Sequence, residues 1–527
     1  MDTLIRDARI IDGSGAPWFR ADLRISGGRI AAVGPHLSDD GATVVNAGDR
    51  YLAPGFIDAH CHDDLITLRE PQRLEKIMQG VTTVVVGNCS FSLYPVAAGS
   101  RRLLAEHFGA LLGATADDEV FADLDGYRNA LEGRGAALNV VSLVGHAALR
   151  LAVMGFEQRA ATTEERQAMQ RLLAGQLEQG AAGLSLGLVY PPSAHADQAE
   201  LVALAETVRD HGKLLTAHIR SYEGGLIAST EEFLSILRSA GTAGLLSHLQ
   251  SAGRPNWGNV PKVIERLETA RSEGLDVSFD MYPYPAGSTY LLQLLPPEAL
   301  AGGHAALVER LADAAYRDDL RRWIEEGGSD PHRQSKVSLI GWENVRLSAI
   351  GTAALKHLEG QSLADSAASE GSTPFDLLVR LIVEDQGQTG IVLFQLDEGD
   401  LHAACTHRLH LACSDGLPRI GTRPHPRGFG SFARFAGRLV RDGWFPIEDA
   451  VRRMTSAPAQ RFNLTDRGVI RQGLVADLTL FDAAIDDPAT FDDPVRIATG
   501  VNHVFVAGEA VVADGQPTGS LPGKIIP

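Results

Sequence analysis

TTEERQAMQRLLAGQLEQGAAGLSLGLVYPPSAHADQAELVALAETVRDHGKLLTAHIR, residues 162–220, carries one full turn of the pattern that decides the architecture. Thr162 followed three residues later by Glu165 has capping-box spacing, and the segment after it reads as a helix ending at glycine. GAAGLSLGLVY then reads as a strand interrupted by glycine, AELVALAETVRDHG as a second helix and KLLTAHIRS as a second strand. The same rhythm follows at once. Ser229 and Glu232 repeat the capping spacing before FLSILRSAG, then come GLLSHLQ, KVIERLETARSEG and DVSFDMYPY. Strands that alternate with helices build a parallel sheet, and this many units over about 400 residues favour closure into a (β/α)8 barrel. An open, doubly wound sheet is the competing α/β fold.

Outward from this core the rhythm changes. Residues 1–53 and 466–527 alternate polar and apolar positions with glycine at the corners, as in LIRDARIIDGSG and VNHVFVAGEAVVADG, and the two ends are expected to pair into one small β-sandwich domain. The barrel is assigned to 54–465. Within it, residues 290–343 form a charged, helix-patterned stretch with no strand on either side. It reads as a helical insertion after a barrel strand, where it would serve either as a substrate lid or as a plain decoration.

The 527 residues, 44% hydrophobic and 22% charged, describe an ordinary globular chain with a formal net charge of −18. That charge argues against nucleic acid or an anionic membrane as a partner. The first residues lack the apolar core of a signal peptide and no run approaches the length of a membrane span, so a cytoplasmic location is expected. Four scattered cysteines are too few for a disulfide framework. A homo-oligomer is compatible with this composition.

The chemistry gathers at strand ends. GFIDAHCHDD closes a strand with His60-Cys61-His62; alternation aims both histidines one way and Cys61 the other, towards the barrel wall. VTTVVVGNCS is a continuous apolar strand that ends at Cys89, a residue which taken alone is most often a small buried hydrophobe. LLTAHIRS and GLLSHLQS end in His218 and His248 on consecutive units, and LHLACSDG ends in Asp415. Five strand ends that each deliver a ligand-type residue make a metal site. Imidazoles with one thiolate suit Zn²⁺ better than Mg²⁺ or Ca²⁺, and zinc chemistry points to amide hydrolysis with Asp415 as proton carrier.

These motifs resemble the amidohydrolase superfamily. VGNCSFS (86–92), with Cys89 in place of a bridging carboxylated lysine, is similar within it to the N-acyl-D-amino-acid deacylases, or D-aminoacylases. LVGHAALRLAVMG, GLSLGLVYPPSAHA, DMYPYPAGSTYL, CSDGLP and PHPRGFGSF carry the likeness along nearly the whole chain. The resemblance implies zinc held tightly by Cys89, His218 and His248, with a second, weaker metal position near His60 and His62. It implies Asp415 as general acid and base, Arg427 and Tyr190 as partners of a substrate carboxylate, Ser288 close to the metal, and an N-acyl amino acid as the small-molecule substrate. One departure stands out: Gln250 occupies the place where the family is expected to have lysine. Two other readings are a cyclic-amide hydrolase of the hydantoinase or dihydroorotase kind, and a non-catalytic metal-binding relative.

Overall fold

A computed structural model describes residues 2–97, 99–328, 330 and 334–527; residues 1, 98, 329 and 331–333 lie outside the described set, the last four of them within the expected insertion. Its centre is a ring of parallel strands met in sequence order: Phe56–Asp58, Val81–Val86, the run 139–145, Gly183–Gly187, Leu214–His218, Ala243–Leu246, Val277–Met281 and His410–Ala412. Each pairs in parallel with the next. The last strand returns to the first, where the Ala59 amide donates to the Ala412 carbonyl at 3.4 Å and the Asp415 amide to the His60 carbonyl at 2.8 Å. The sheet therefore closes into a (β/α)8 barrel, and the open alternative is excluded.

Val81–Val86 is buried at all six positions, as a strand covered on both faces must be. Around the ring, helices Thr163–Glu178, Gln198–Asp210, Leu226–Ala240 and Val260–Ser272 supply the crossovers. The first begins at the expected capping box: the Glu165 amide donates to Thr162 Oγ1 at 3.2 Å and the Thr162 amide to Glu165 Oε2 at 2.8 Å. Ser229 and Glu232 do not act this way. Their helix starts at Leu226, directly after Gly225, and Ser229 is buried inside it. The apolar Leu226 gains enough by packing to start the helix one turn before the polar signal.

Both ends of the chain join in one nine-stranded sheet. The junction is Tyr51–Pro54, antiparallel to the start of Leu478–Asp486, and Ile5, Ile10, Leu23, Leu52, Leu478, Leu480 and Phe505 pack a small core of their own. The long excursion between Met281 and His410 contains helices, as its pattern suggests, but also an antiparallel sheet of Gly287–Tyr290, Gly390–Leu393 and Val345–Ala349. Strands therefore flank the charged stretch 290–343 on both sides, where none was expected, because they are too short for periodicity to reveal. Among the described residues no helix is long and apolar enough to cross a membrane.

Candidate metal centre and active site

The strand ends deliver their side chains through a shared backbone device. Cys89, His248 and Asp415 sit at φ values of 52°, 34° and 45°, in the left-handed region that costs a residue with a β-carbon about 1–3 kcal/mol. Each residue turns the chain sharply off its strand, so that its side chain meets the others in one buried cluster. Gly187 gives Cys89 its room: a β-carbon there would lie 2.1 Å from the Cys89 carbonyl oxygen. Asn88 pins the same turn, with Nδ2 donating to the Val85 carbonyl at 2.9 Å.

Cys89 Sγ lies 3.3 Å from His60 Nε2 and 3.4 Å from His248 Nε2. Ligand atoms of His60, His62 and Cys89 fall within 4.8 Å of one another, as do those of Cys89, His218 and His248. Bond lengths of about 2.3 Å to sulfur and 2.0–2.1 Å to nitrogen place the ligands of a tetrahedral zinc roughly 3.5 Å apart, so the cluster fits that ion. Cys89 is common to both triads. His248 turns Nε2 to Cys89 and His62 turns Nε2 to Asp415, while the buried Nδ1 atoms of His62, His218 and His248 have no hydrogen-bond partner among the described residues. Asp415 Oδ1 stands 3.3 Å from His62 Nε2 and 3.5 Å from His60 Nε2, while its Oδ2 is 2.9 Å from Arg427 Nη1.

Burial alone would push the Cys89 thiol up, but the imidazoles of His60 and His248 outweigh it and hold the thiol well below its ordinary value, as a thiolate. Burial likewise opposes ionisation of Asp415, and Arg427, His62 and His60 reverse it, so its carboxyl is held well below the usual range. Burial, helped by the neighbouring His248, depresses His218 to about 4. His60 is displaced the other way: Asp280 and Cys89 overcome burial and raise it well above its ordinary value.

The remaining sequence candidates line one narrow cavity with the cluster. Tyr190 is buried with its ring centroid 4.9 Å from that of His218. The Arg427 guanidinium lies 4.3 Å over the Tyr282 ring, and while Nη1 is paired with Asp415, its Nε has no hydrogen-bond acceptor. Gln250 Oε1 accepts from the Tyr282 hydroxyl at 3.2 Å. Ser288 lines the cavity but turns its hydroxyl to the Ile391 carbonyl at 3.0 Å. Cys61 points away from the cluster, its thiol 3.4 Å from the Val85 carbonyl.

A family model described as "Amidohydrolase family" matches residues 43–332 and 403–512. The chain belongs to the amidohydrolase family. Among its relatives, the N-acyl-D-glutamate deacylase of Alcaligenes xylosoxydans xylosoxydans is 37% identical, the match covering all of this chain and 96% of that protein. The D-aminoacylase of the same organism is 36% identical, with 100% and 97% covered. Among solved structures, the N-acyl-D-glutamate deacylase of Bordetella bronchiseptica, complexed with zinc and a phosphonate mimic of the tetrahedral intermediate, superimposes with a TM-score of 0.82 at 35% identity over 100% and 99% of the two chains.

Two features of this amidohydrolase escaped the sequence reading. Asp280, at the end of the seventh barrel strand, accepts from the His248 amide through Oδ1 at 2.7 Å and meets His60 Nδ1 through Oδ2 at 3.3 Å. It holds the His60 ring from behind, a role that only an acid at a strand end could have signalled. Beneath the cluster, the wholly buried Lys76 reaches Asp58 Oδ2 at 2.6 Å, Ser414 Oγ at 2.7 Å and Asp63 Oδ2 at 3.5 Å. Asp58 precedes His60 by two residues and Ser414 directly precedes Asp415, so Lys76 ties the first barrel strand to the last.

Proposed function

We propose that this amidohydrolase cleaves the amide bond of N-acyl-D-amino acids, giving a carboxylate and a free D-amino acid, in a zinc-dependent reaction. The observation that carries the reading is the buried meeting of Cys89 with four histidines beside an ionised Asp415. The names of the relatives, which share the entire chain length at 35–37% identity, support the substrate class. Cys89, His218 and His248 would hold the tighter zinc, and His60 with His62 a weaker second position. Zinc, when bound, polarises the scissile carbonyl and makes water acidic near neutral pH.

The chain's own residues do the rest. Arg427, buried beside Asp415 with its Nε lacking an acceptor, takes the substrate carboxylate, with Tyr190 on the adjacent wall. Ser288 and Gln250 border the same space. Asp415 is ionised and therefore competent to take the proton of the attacking water and then pass it to the leaving nitrogen. The narrowness of the cavity excludes bulk water from these charges. The four cysteines are free and buried, in keeping with a reducing compartment such as the cytoplasm.

Purified, zinc-supplemented protein offered a panel of N-acyl-D- and N-acyl-L-amino acids should release amine from the D series only. Asp415→Asn should retain zinc and lose that activity. Release of no amine from any member would remove the deacylase reading.

A further inference from the structure

The deacylase reading leaves the amino-acid side chain unspecified, and the charges around the cavity select among the possibilities. Apart from histidine, three cationic side chains line it among the described residues: Arg220, Lys336 and Arg427. Arg427 faces Asp415 and is the group assigned to the α-carboxylate. Arg220 has its charge met by Glu232 and each of its three nitrogens engaged. Its Nε reaches both carboxylate oxygens of Glu232 at 2.8 and 2.9 Å, while Nη1 and Nη2 donate to the carbonyls of Ala194 and Ala196 at 2.7 Å each. Lys336, brought in by the excursion at the start of helix Lys336–Ile340, is bound to Glu223 Oε1.

Glu223 is not a loose surface acid. It is buried, its Oε2 accepts from the Tyr222 amide at 3.2 Å and from Ser221 Oγ at 3.1 Å, and the Tyr222 ring beside it packs against His218 and His248 at 4.9 and 5.1 Å. The acid is fixed by the backbone next to the metal cluster, and the lysine comes to it. Gln250 adds only a neutral amide. Once Arg427 has taken the α-carboxylate, the cavity holds, among the described residues, a balanced ion pair and no uncompensated cation for a second carboxylate. An acidic side chain would meet Glu223 as well as Lys336 and would lose its hydration without return.

We infer that the Glu223–Lys336 pair sets the side-chain specificity of the enzyme, by neutralising a cation that would otherwise receive an acidic side chain, so that N-acyl-D-amino acids with neutral side chains are preferred over those of D-glutamate and D-aspartate. This rests on the deacylase reading, and it assigns Glu223 as the residue that withholds Lys336 from substrate.

The test measures kcat/KM of the zinc-loaded, full-length enzyme for N-acetyl-D-leucine and N-acetyl-D-glutamate, in the wild type and in Glu223→Gln. The wild type should favour the leucine derivative by about tenfold or more. Glu223→Gln releases Lys336 and should raise kcat/KM for the glutamate derivative by roughly tenfold or more, the size of one charge-assisted hydrogen bond, mainly through a lower KM. Adding Lys336→Met to that variant should abolish the gain. Lys336→Met alone gives a second, opposite reading, since it leaves Glu223 unpaired and should raise activity towards Nα-acetyl-D-lysine; it decides the matter if Glu223→Gln does not fold. Equal or better turnover of the glutamate derivative by the wild type overturns the inference, as does a folded Glu223→Gln enzyme with no gain. Failure to cleave any N-acyl-D-amino acid instead overturns the deacylase reading on which it stands.

Discussion

Replacing Lys76 by methionine keeps most of the apolar stem and deletes one charge from a network with no access to water. Lys76, Asp58 and Asp63 are all fully buried. Burial would lower the Lys76 ammonium, but Asp58 and Asp63 hold it above its ordinary value. A cation raised in the folded state contributes stability that is complete below its unfolded value of 10.5, hence complete at neutral pH. Removing one member of a buried pair typically costs about 3–5 kcal/mol, because the other charge is left uncompensated. Here the lower part of that range is expected. Asp63 keeps Arg73 at 2.9 Å, and Asp58 keeps the Ser414 amide at 2.8 Å and its hydroxyl at 2.5 Å. Urea unfolding followed by far-UV circular dichroism should therefore show Lys76→Met destabilised by about 3 kcal/mol. Adding Asp58→Asn removes the stranded charge, so the double variant should lose less than the sum of the two single losses, by about 1–3 kcal/mol. Additive losses, or a single-variant cost below about 1 kcal/mol, would refute the account of Lys76 as the clamp between the first and last strands.

Asp415→Asn keeps the shape of the side chain but removes the proton acceptor, and amide hydrolysis should fall by about 10²–10⁴-fold with zinc content unchanged, measured by amine release and metal analysis. Cys89→Ser takes the soft ligand from both triads; the variant should lose zinc to a chelator at concentrations that leave the wild type loaded, read from a colorimetric zinc indicator. Gly187→Ala drives a β-carbon to 2.1 Å from the Cys89 carbonyl, so the same titration should show weakened zinc binding although residue 187 is no ligand. At acidic pH, Glu200 governs part of the unfolding. Burial opposes its charge, yet His146 and Arg150 hold its carboxyl at about 2, below the ordinary 4.5. Its contribution is thus present above pH 4.5 and lost as the pH falls towards 2, by at most roughly 3 kcal/mol. Glu200→Gln should flatten that limb of the urea-midpoint profile while lowering the neutral plateau, because Arg150 is left buried without its carboxylate.

What the sequence disclosed about the fold followed the length of each signal. Helices such as Thr163–Glu178 have a cap and several turns of periodicity, and Val81–Val86 is apolar throughout, so the barrel could be inferred from them. The strands of the excursion, four or five residues long, offer no such period. A polar capping pattern also misled at Ser229, where an apolar residue one turn earlier had more to gain from burial. The site divides by the same logic. His60, His62, Cys89, His218, His248 and Asp415 were visible because each closes an apolar strand, and chain order alone brings strand ends together in a barrel. Asp280 and Lys76 act through long-range pairs, with His60 220 positions from Asp280 and Lys76 338 positions from Ser414, and no local pattern encodes such a partner.

The left-handed turns at Cys89, His248 and Asp415 show why strand ends alone do not make a centre. A side chain that continued the pleat would point along the barrel wall, as Cys61 does. Cys89 instead turns inward, and the cost of that turn is met by contacts that fix the backbone: Gly187 yields space to its carbonyl, Asn88 holds the Val85 carbonyl, and Asp280 accepts from the amide of His248. Asp280 thereby does two things at once, since its other oxygen meets His60. A single carboxylate thus couples the strained backbone of one expected ligand to the ring orientation of another. Loss of Asp280 should therefore disturb both triads together, because both are built on Cys89 and its contacts with these two histidines.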